Sequence, residues 1–315
     1  MTVLKPRRLR KGDVIGIVAP ASPVFPEDKL ERAAEYIESL GYRIKFGKAV
    51  RKVYGYLAGT DKERAQDLNE MFADRYVSAI FCLRGGYGSP RILPLLDYAM
   101  IARNPKIFVG FSDITALCSA LFAKCKLITF LGPMLVSDMT QPDDFAQEHF
   151  WQMITSASVV GELPNHASHH ATALQVGEKT GRLSAANLSL LTTLIGTPYL
   201  PSLKKSILVI EDIGEEPYRV DRMLSQVANS GVMQALHGFV VGQFTDSEPE
   251  DDKPSLSMKQ VIADYVKKLP KLVPAFANFS FGHIKSKLTL PFGARAKLSV
   301  TRRHCKLEIT ERVVT

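Results

Sequence analysis

Cysteine is sparse in this chain. Cys82, Cys118, Cys125 and Cys305 are its four thiols, none is spaced as a CxxC pair, and three lie among apolar neighbours. That pattern argues against a disulfide-stapled scaffold and fits free core thiols in a reducing, cytoplasmic compartment. Long apolar runs are also missing: nothing approaches the roughly 20 residues that cross a bilayer. The basic start (Lys5, Arg7, Arg8, Arg10, Lys11) is followed only by the short run Val14 to Ala19, so no secretory leader is expected. The H-E-x-x-H zinc spacing, the lysine-serine pair of a phosphate loop and the full dinucleotide glycine spacing are all lacking. No metal and no cofactor is expected, and the polar pair His169-His170 has no carboxylate or thiol at ligand spacing. The formal charge of +8 comes from scattered side chains, apart from the start and Arg302-Arg303. It predicts attraction for small anionic substrates rather than nucleic acid or a membrane.

What is present is an ordinary globular composition, 46% apolar and 23% charged, over 315 residues. That length predicts two domains. The first half alternates short apolar runs with helical spacing. Val14 to Ala19, Arg43 to Val50, Val77 to Leu83, Ile107 to Val109 and Ile128 to Phe130 read as strands. Leu30 to Leu40 and Ile114 to Phe122 read as helices, and Thr60 with Glu63 forms a capping-box pair ahead of another. Ser89-Pro90 opens a helix that Pro94 should bend. This half is expected to be an α/β domain, a mostly parallel sheet flanked by helices, over residues 1–164. Residues 165–181 read as a linker, and 182–315 as a mixed α+β domain rich in strands. There a helix is expected over Ser184 to Ile195, a strand over Ile207 to Ile210 ending at Glu211-Asp212, and strands over Leu288 to Leu290, Ala296 to Val300 and Lys306 to Ile309.

Two strand ends carry unusual loops. One is Arg84-Gly85-Gly86-Tyr87-Gly88; the other is Gly110-Phe111-Ser112-Asp113, directly before an amphipathic stretch. In parallel sheets ligands bind at such carboxyl ends. Ser112 on a tight strand-to-helix turn suits an exposed nucleophile, although position 114 is Ile where the G-x-S-x-G elbow has its second glycine. A helix-capping serine fits the same segment. The N–H groups of Asp113 and Gly86 are candidate oxyanion donors, and Arg84 is a candidate partner for a substrate carboxylate. A serine needs a base. Of seven histidines, His283 stands at the close of the apolar stretch Phe279-Ser280-Phe281-Gly282. Glu211 ends a buried-looking strand, and an imidazole partner would offset the cost of burying its carboxylate. Arg222 is a second candidate for carboxylate recognition.

In this order, those segments resemble the serine LD-carboxypeptidases of bacterial wall recycling. Further matching stretches are Phe130-Leu131-Gly132-Pro133-Met134, Asn187-Leu188, Gly196-Thr197-Pro198, Arg219 to Leu224 and Leu288 to Gly293. The resemblance runs from about Ala19 to about Ala294. It implies a nucleophile at Ser112, an acid at Glu211, a base at His283 and oxyanion donors at Gly86 and Asp113. It also implies a cofactor-free, often dimeric, cytoplasmic enzyme that releases the terminal D-alanine of muropeptide tetrapeptides, at the L-centre of a diamino acid. A related branch cleaves peptide-nucleotide antibiotics and confers immunity, and a non-catalytic muropeptide-binding protein would use the same scaffold. One departure is Ala185-Ala186, where the family usually has Gly-Gly; if that helix start lines the cleft, the added methyl groups alter substrate fit.

Overall fold

The computed structural model describes residues 2–26, 28–249 and 254–315. Its fourteen strands are, in chain order, β1 (Val14–Val18), β2 (Arg43–Phe46), β3 (Val77–Cys82), β4 (Ile107–Gly110), β5 (Thr129–Leu131), β6 (Gly161–Glu162), β7 (Thr172–Gln175), β8 (Gly177–Asn187), β9 (Ser206–Ile213), β10 (Gly238–Thr245), β11 (Ala275–Ala277), β12 (Leu290–Phe292), β13 (Arg295–Val300) and β14 (Cys305–Ile309). The chain divides into two compact units. The first comprises Met1–Ser158, Thr289–Gly293 and Arg312–Thr315; the second comprises Val159–Leu288 and Ala294–Glu311.

The first unit is built on a six-stranded sheet of order β12-β5-β4-β3-β1-β2. The pairs among β1 to β5 are all parallel, and β12 closes the edge antiparallel to β5. β1, β3 and β4 are almost wholly apolar and buried, as strands covered on both faces must be. The helix Asp28–Ser39 buries Leu30, Ala33 and Ile37 at helical spacing. The helix Asp61–Ala73 starts with the capping box formed by Thr60 and Glu63. Ser89–Ile92 is a single helical turn that passes into a 3-10 turn over Leu93–Leu95, as Pro94 dictates. The strand order reverses between β2 and β3, on either side of β1. The carboxyl ends of β1 and β3 therefore face the crevice where such sheets bind ligands.

The second unit holds an eight-stranded sheet of order β6-β14-β13-β8-β9-β10-β11-β7. Its centre, β8-β9-β10-β11, is parallel, and antiparallel strands flank it on both sides. One face packs on a core that includes Leu188, Leu208, Ile210, Val220, Leu224, Phe239 and Val261. The helices Pro217–Asn229 and Met258–Val266 contribute Val220, Leu224 and Val261 to it.

Several elements differ from expectation. Ser184 to Asn187 is strand, not helix: β8 runs on beside β9, register Asn187 to Glu211, and only Leu188–Leu194 is helical. Ala185 and Ala186 are accordingly buried sheet residues, and Ala186 packs in the core. Residues 165–181 include β7 and the start of β8, so the segment expected as a linker is partly sheet. Leu290–Phe292 pairs with β5, which puts Thr289–Gly293 in the first unit although it lies late in the chain. Cys82, Cys118 and Cys125 are buried free thiols. No helix among the described residues is long and apolar enough to cross a membrane.

Candidate functional site

In the first unit, β4 ends at Gly110, and Ser112 opens a 3-10 turn that runs into the helix Thr115–Cys125. Gly110 has no room for a side chain: a β-carbon there would lie 2.7 Å from the Ile114 β-carbon. Ser112 itself takes φ 60°, the left-handed region that a serine occupies at a cost of about 1–2 kcal/mol. Such strain persists only where the surroundings enforce it, and it is the backbone signature of a nucleophile elbow.

The glycine loop after β3 lies against this turn. A β-carbon on Gly85 would sit 2.9 Å from Ser112 Cβ, 3.2 Å from its Oγ and 3.3 Å from the Asp113 nitrogen. Gly86 takes φ 109°, and a side chain there would collide with Ser22. Both glycines are thus required by close backbone approach. The N–H groups of Gly86 and Asp113 make no hydrogen bond among the described residues, which leaves both available at one place.

Side chains outside the expected set hold the loops. Ser22, after β1, accepts a hydrogen bond from the Tyr87 N–H at 3.1 Å. Buried Arg64 donates to the carbonyls of Pro20 and Gly88, tying the loops after β1 and β3 together. The Asp113 carboxylate accepts from the Ser89 N–H at 2.8 Å, and the Ser89 hydroxyl donates back to the Asp113 carbonyl. Burial raises the Asp113 pKa; the Ser89 bonds and Arg64 oppose that. Arg84 is exposed and donates to the Pro23 carbonyl at 3.4 Å.

In the second unit, the parallel strands β8 and β9 bring Asn187 beside Glu211 and Asp212. Glu211 is fully buried and lies within β9, which continues to Ile213. Its Oε2 is 2.7 Å from the His283 Nδ1, and the Asn187 amide donates to its Oε1 at 3.2 Å. The same amide donates to Asp212 at 2.8 Å, and Asp212 also accepts from the Ser189 N–H and hydroxyl. Burial drives the Glu211 carboxyl above its ordinary range, while the His283 contact pulls it down. Nδ1 is thus the ring nitrogen turned to Glu211, a contact that fixes the ring's orientation.

His283 sits on the loop between β11 and β12. Gln243 of β10 anchors this loop: its N–H bonds the Phe281 carbonyl at 2.8 Å and its side chain the Phe279 carbonyl at 3.0 Å. Gly242 lets the loop approach, since a β-carbon there would lie 2.2 Å from the Phe281 oxygen. Arg222 lies on the helix Pro217–Asn229 over the Tyr218 ring, 5.4 Å from its centroid. His169 interacts with Ser168 and Ser280, and among the described residues no cluster of three potential metal ligands exists.

Sequence reasoning passed over Ser22, Arg64, Ser89, Ser189 and Gln243 as functional residues, and used Asn187 only as part of a motif. The one local signal among them is Asn187, whose side chain caps the helix Leu188–Leu194 by accepting from the Leu190 N–H.

Two family profiles match this chain, the LD-carboxypeptidase N-terminal domain over residues 15–132 and the LD-carboxypeptidase C-terminal domain over residues 180–298. The chain belongs to the LD-carboxypeptidase family. It is a serine-type hydrolase of that family. It is 39% identical to the probable murein peptide carboxypeptidase of Bacillus subtilis, over 96% of this chain and 94% of that protein. It is 28% identical to the microcin C7 self-immunity protein MccF of Escherichia coli, over 98% of this chain and 96% of that one. A solved structure of MccF with glutamyl sulfamoyl guanosine superposes with a TM-score of 0.90 at 27% identity, covering 99% of this chain and 100% of that structure. The muramoyltetrapeptide carboxypeptidase of Oxalobacter formigenes superposes with a TM-score of 0.84 at 32% identity, covering 96% of this chain and 100% of that one.

Proposed function

We propose that this LD-carboxypeptidase family member cleaves its substrate by acyl transfer through Ser112, Glu211 and His283. The observation that carries this reading is the strained Ser112 turn with Gly85 and Gly86 packed on it and two unused N–H groups beside it. In the proposed reaction, His283 takes the Ser112 proton as Oγ attacks the scissile carbonyl. Glu211 holds the ring tautomer and stabilises the imidazolium. The Gly86 and Asp113 N–H groups stabilise the oxyanion. His283 then protonates the leaving amine, and water, deprotonated by His283, releases the acyl group and frees Ser112.

For the substrate we propose the L,D-amide of a muropeptide tetrapeptide, with release of terminal D-alanine in the cytoplasm by a homodimer. Identities of 39% and 32% are to proteins named as a murein peptide and a muramoyltetrapeptide carboxypeptidase, against 28% to MccF. A peptide-nucleotide antibiotic is the second reading. Fold likeness backs it better, since MccF superposes at 0.90 against 0.84. Incubation with an L,D-linked tetrapeptide, its D,L isomer and an aminoacyl-nucleotide conjugate separates the two by mass spectrometry. Loss of one alanine from the first alone supports the muropeptide reading; cleavage of the conjugate alone overturns it in favour of the second. In either case Ser112→Ala should abolish turnover with the fold retained; cleavage at the wild-type rate would overturn Ser112 as the nucleophile, and no cleavage of any of the three by the native protein would leave a binding protein as the better description.

A further inference from the structure

The loop after β3 combines a soft backbone with a demanding position. Gly85, Gly86 and Gly88 give it great conformational freedom, and Gly86 and Gly88 hold positive φ, 109° and 124°. An N–H group stabilises an oxyanion well only if it is aimed before the charge develops. The aim must therefore come from outside the loop.

Two residues of the first unit are placed to supply it. Ser22, on the loop after β1, grips the glycine loop twice. Its N–H donates to the Gly85 carbonyl at 3.4 Å, and its hydroxyl oxygen accepts from the Tyr87 N–H at 3.1 Å. The Gly85 carbonyl and the Gly86 N–H belong to one planar trans peptide. Turning that carbonyl toward Ser22 turns the Gly86 N–H the opposite way. Arg64, on the helix Asp61–Ala73, holds both loops from beneath. One guanidinium nitrogen donates to the Pro20 carbonyl, two residues before Ser22, and to the Gly88 carbonyl, two residues after Gly86, the latter at 3.0 Å. Asp61 accepts from its other terminal nitrogen and is itself gripped by Arg91.

Arg64 is not explained by packing. It is only 1% exposed, and its Nε finds no acceptor among the described residues. An apolar side chain of similar volume would commonly serve a core as well as such a buried charge. A guanidinium does what an apolar chain cannot, which is to hold carbonyls of two separate loops at one point.

We propose that Ser22 and Arg64 are positioning residues that aim the Gly86 N–H at the oxyanion. The inference rests on the acyl-transfer reading and deepens it: both residues act through the loop.

The test measures kcat and KM, per folded molecule, on whichever of the L,D-linked tetrapeptide and the aminoacyl-nucleotide conjugate the native enzyme cleaves. It adds the inhibition constant of a substrate analogue with an aldehyde at the scissile carbonyl, which forms a tetrahedral adduct with the serine. Arg64→Met should lower kcat about 10- to 100-fold with KM within about twofold of native, since a misaimed donor costs the transition state and spares ground-state binding. The aldehyde should weaken by a similar factor. Arg64→Lys should restore part of the loss. Ser22→Ala keeps the bond from the Ser22 N–H and should lose less, about 3- to 10-fold in kcat. The double variant should lose less than the product of the two, because both residues act on one loop. If Arg64→Met does not fold, Ser22→Ala decides alone. Native kcat and native aldehyde affinity in the folded variants, even with a lowered Tm, would overturn the inference and leave the acyl-transfer reading intact. Undiminished cleavage by Ser112→Ala would remove that reading, and this inference with it.

Discussion

Ser112 holds the left-handed conformation at φ 60°, and that strain can be measured apart from chemistry. Ser112→Ala and Ser112→Gly both delete the hydroxyl, so both should be inactive. They differ in backbone freedom. Alanine keeps the penalty of about 1–2 kcal/mol for an L-residue at this φ. Glycine removes it but makes the unfolded chain more flexible, a loss of about 0.5–1 kcal/mol. Ser112→Gly should therefore be the more stable of the two by about 0.5–1 kcal/mol, or roughly 2–4 °C per kcal/mol in a unit of this size. The chain's one tryptophan, Trp151, lies in the same unit and stacks on Tyr42 with ring centroids 5.3 Å apart. Urea unfolding followed by its fluorescence reports on that unit directly. A glycine variant no more stable than the alanine variant would refute the claim that the serine turn is strained.

Gly85→Ala should cost most of the activity, because the new methyl would stand 3.2 Å from the Ser112 hydroxyl oxygen; near-native circular dichroism would separate this from misfolding. Asn187→Ala strips a donor shared by two buried carboxylates, so it should destabilise the protein by about 1–3 kcal/mol in urea titrations and slow turnover. Burial raises the Glu211 pKa, so the stability its protonated form contributes is present at acid pH and lost as pH rises through the folded-state value. Glu211→Gln has no such proton to lose, and its Tm relative to native should climb as pH rises above the ordinary carboxyl range; a flat difference would contradict the sign. Burial pushes the Cys118 thiol up to about 12 and Cys82 well above its ordinary value, so alkylation of the folded protein read by mass spectrometry should spare both and modify half-exposed Cys305 first.

What the sequence determined by itself is local. The Thr60–Glu63 capping box, the apolar runs of β1, β3 and β4, and the proline-bent turn at Ser89–Leu95 all depend on neighbours a few residues apart, and their spacing expresses that. The family motifs add the glycine loop, Ser112, Glu211 and His283 as residue types in order. Tertiary structure decided the rest. Ser184 to Asn187 carries helix-like spacing, yet pairing with β9 draws it into the sheet, because a buried parallel strand and a buried helix share the same apolar composition. Leu290–Phe292 joins a sheet whose other strands all precede it by more than 150 residues, a pairing that no local pattern encodes. Glu211 and His283 meet across 72 residues only because β10, through Gly242 and Gln243, carries the histidine loop. Hydrogen bonds between distant strands are written by the fold as a whole, which is why the family and its residue types were legible in the sequence and the frame that holds them was not.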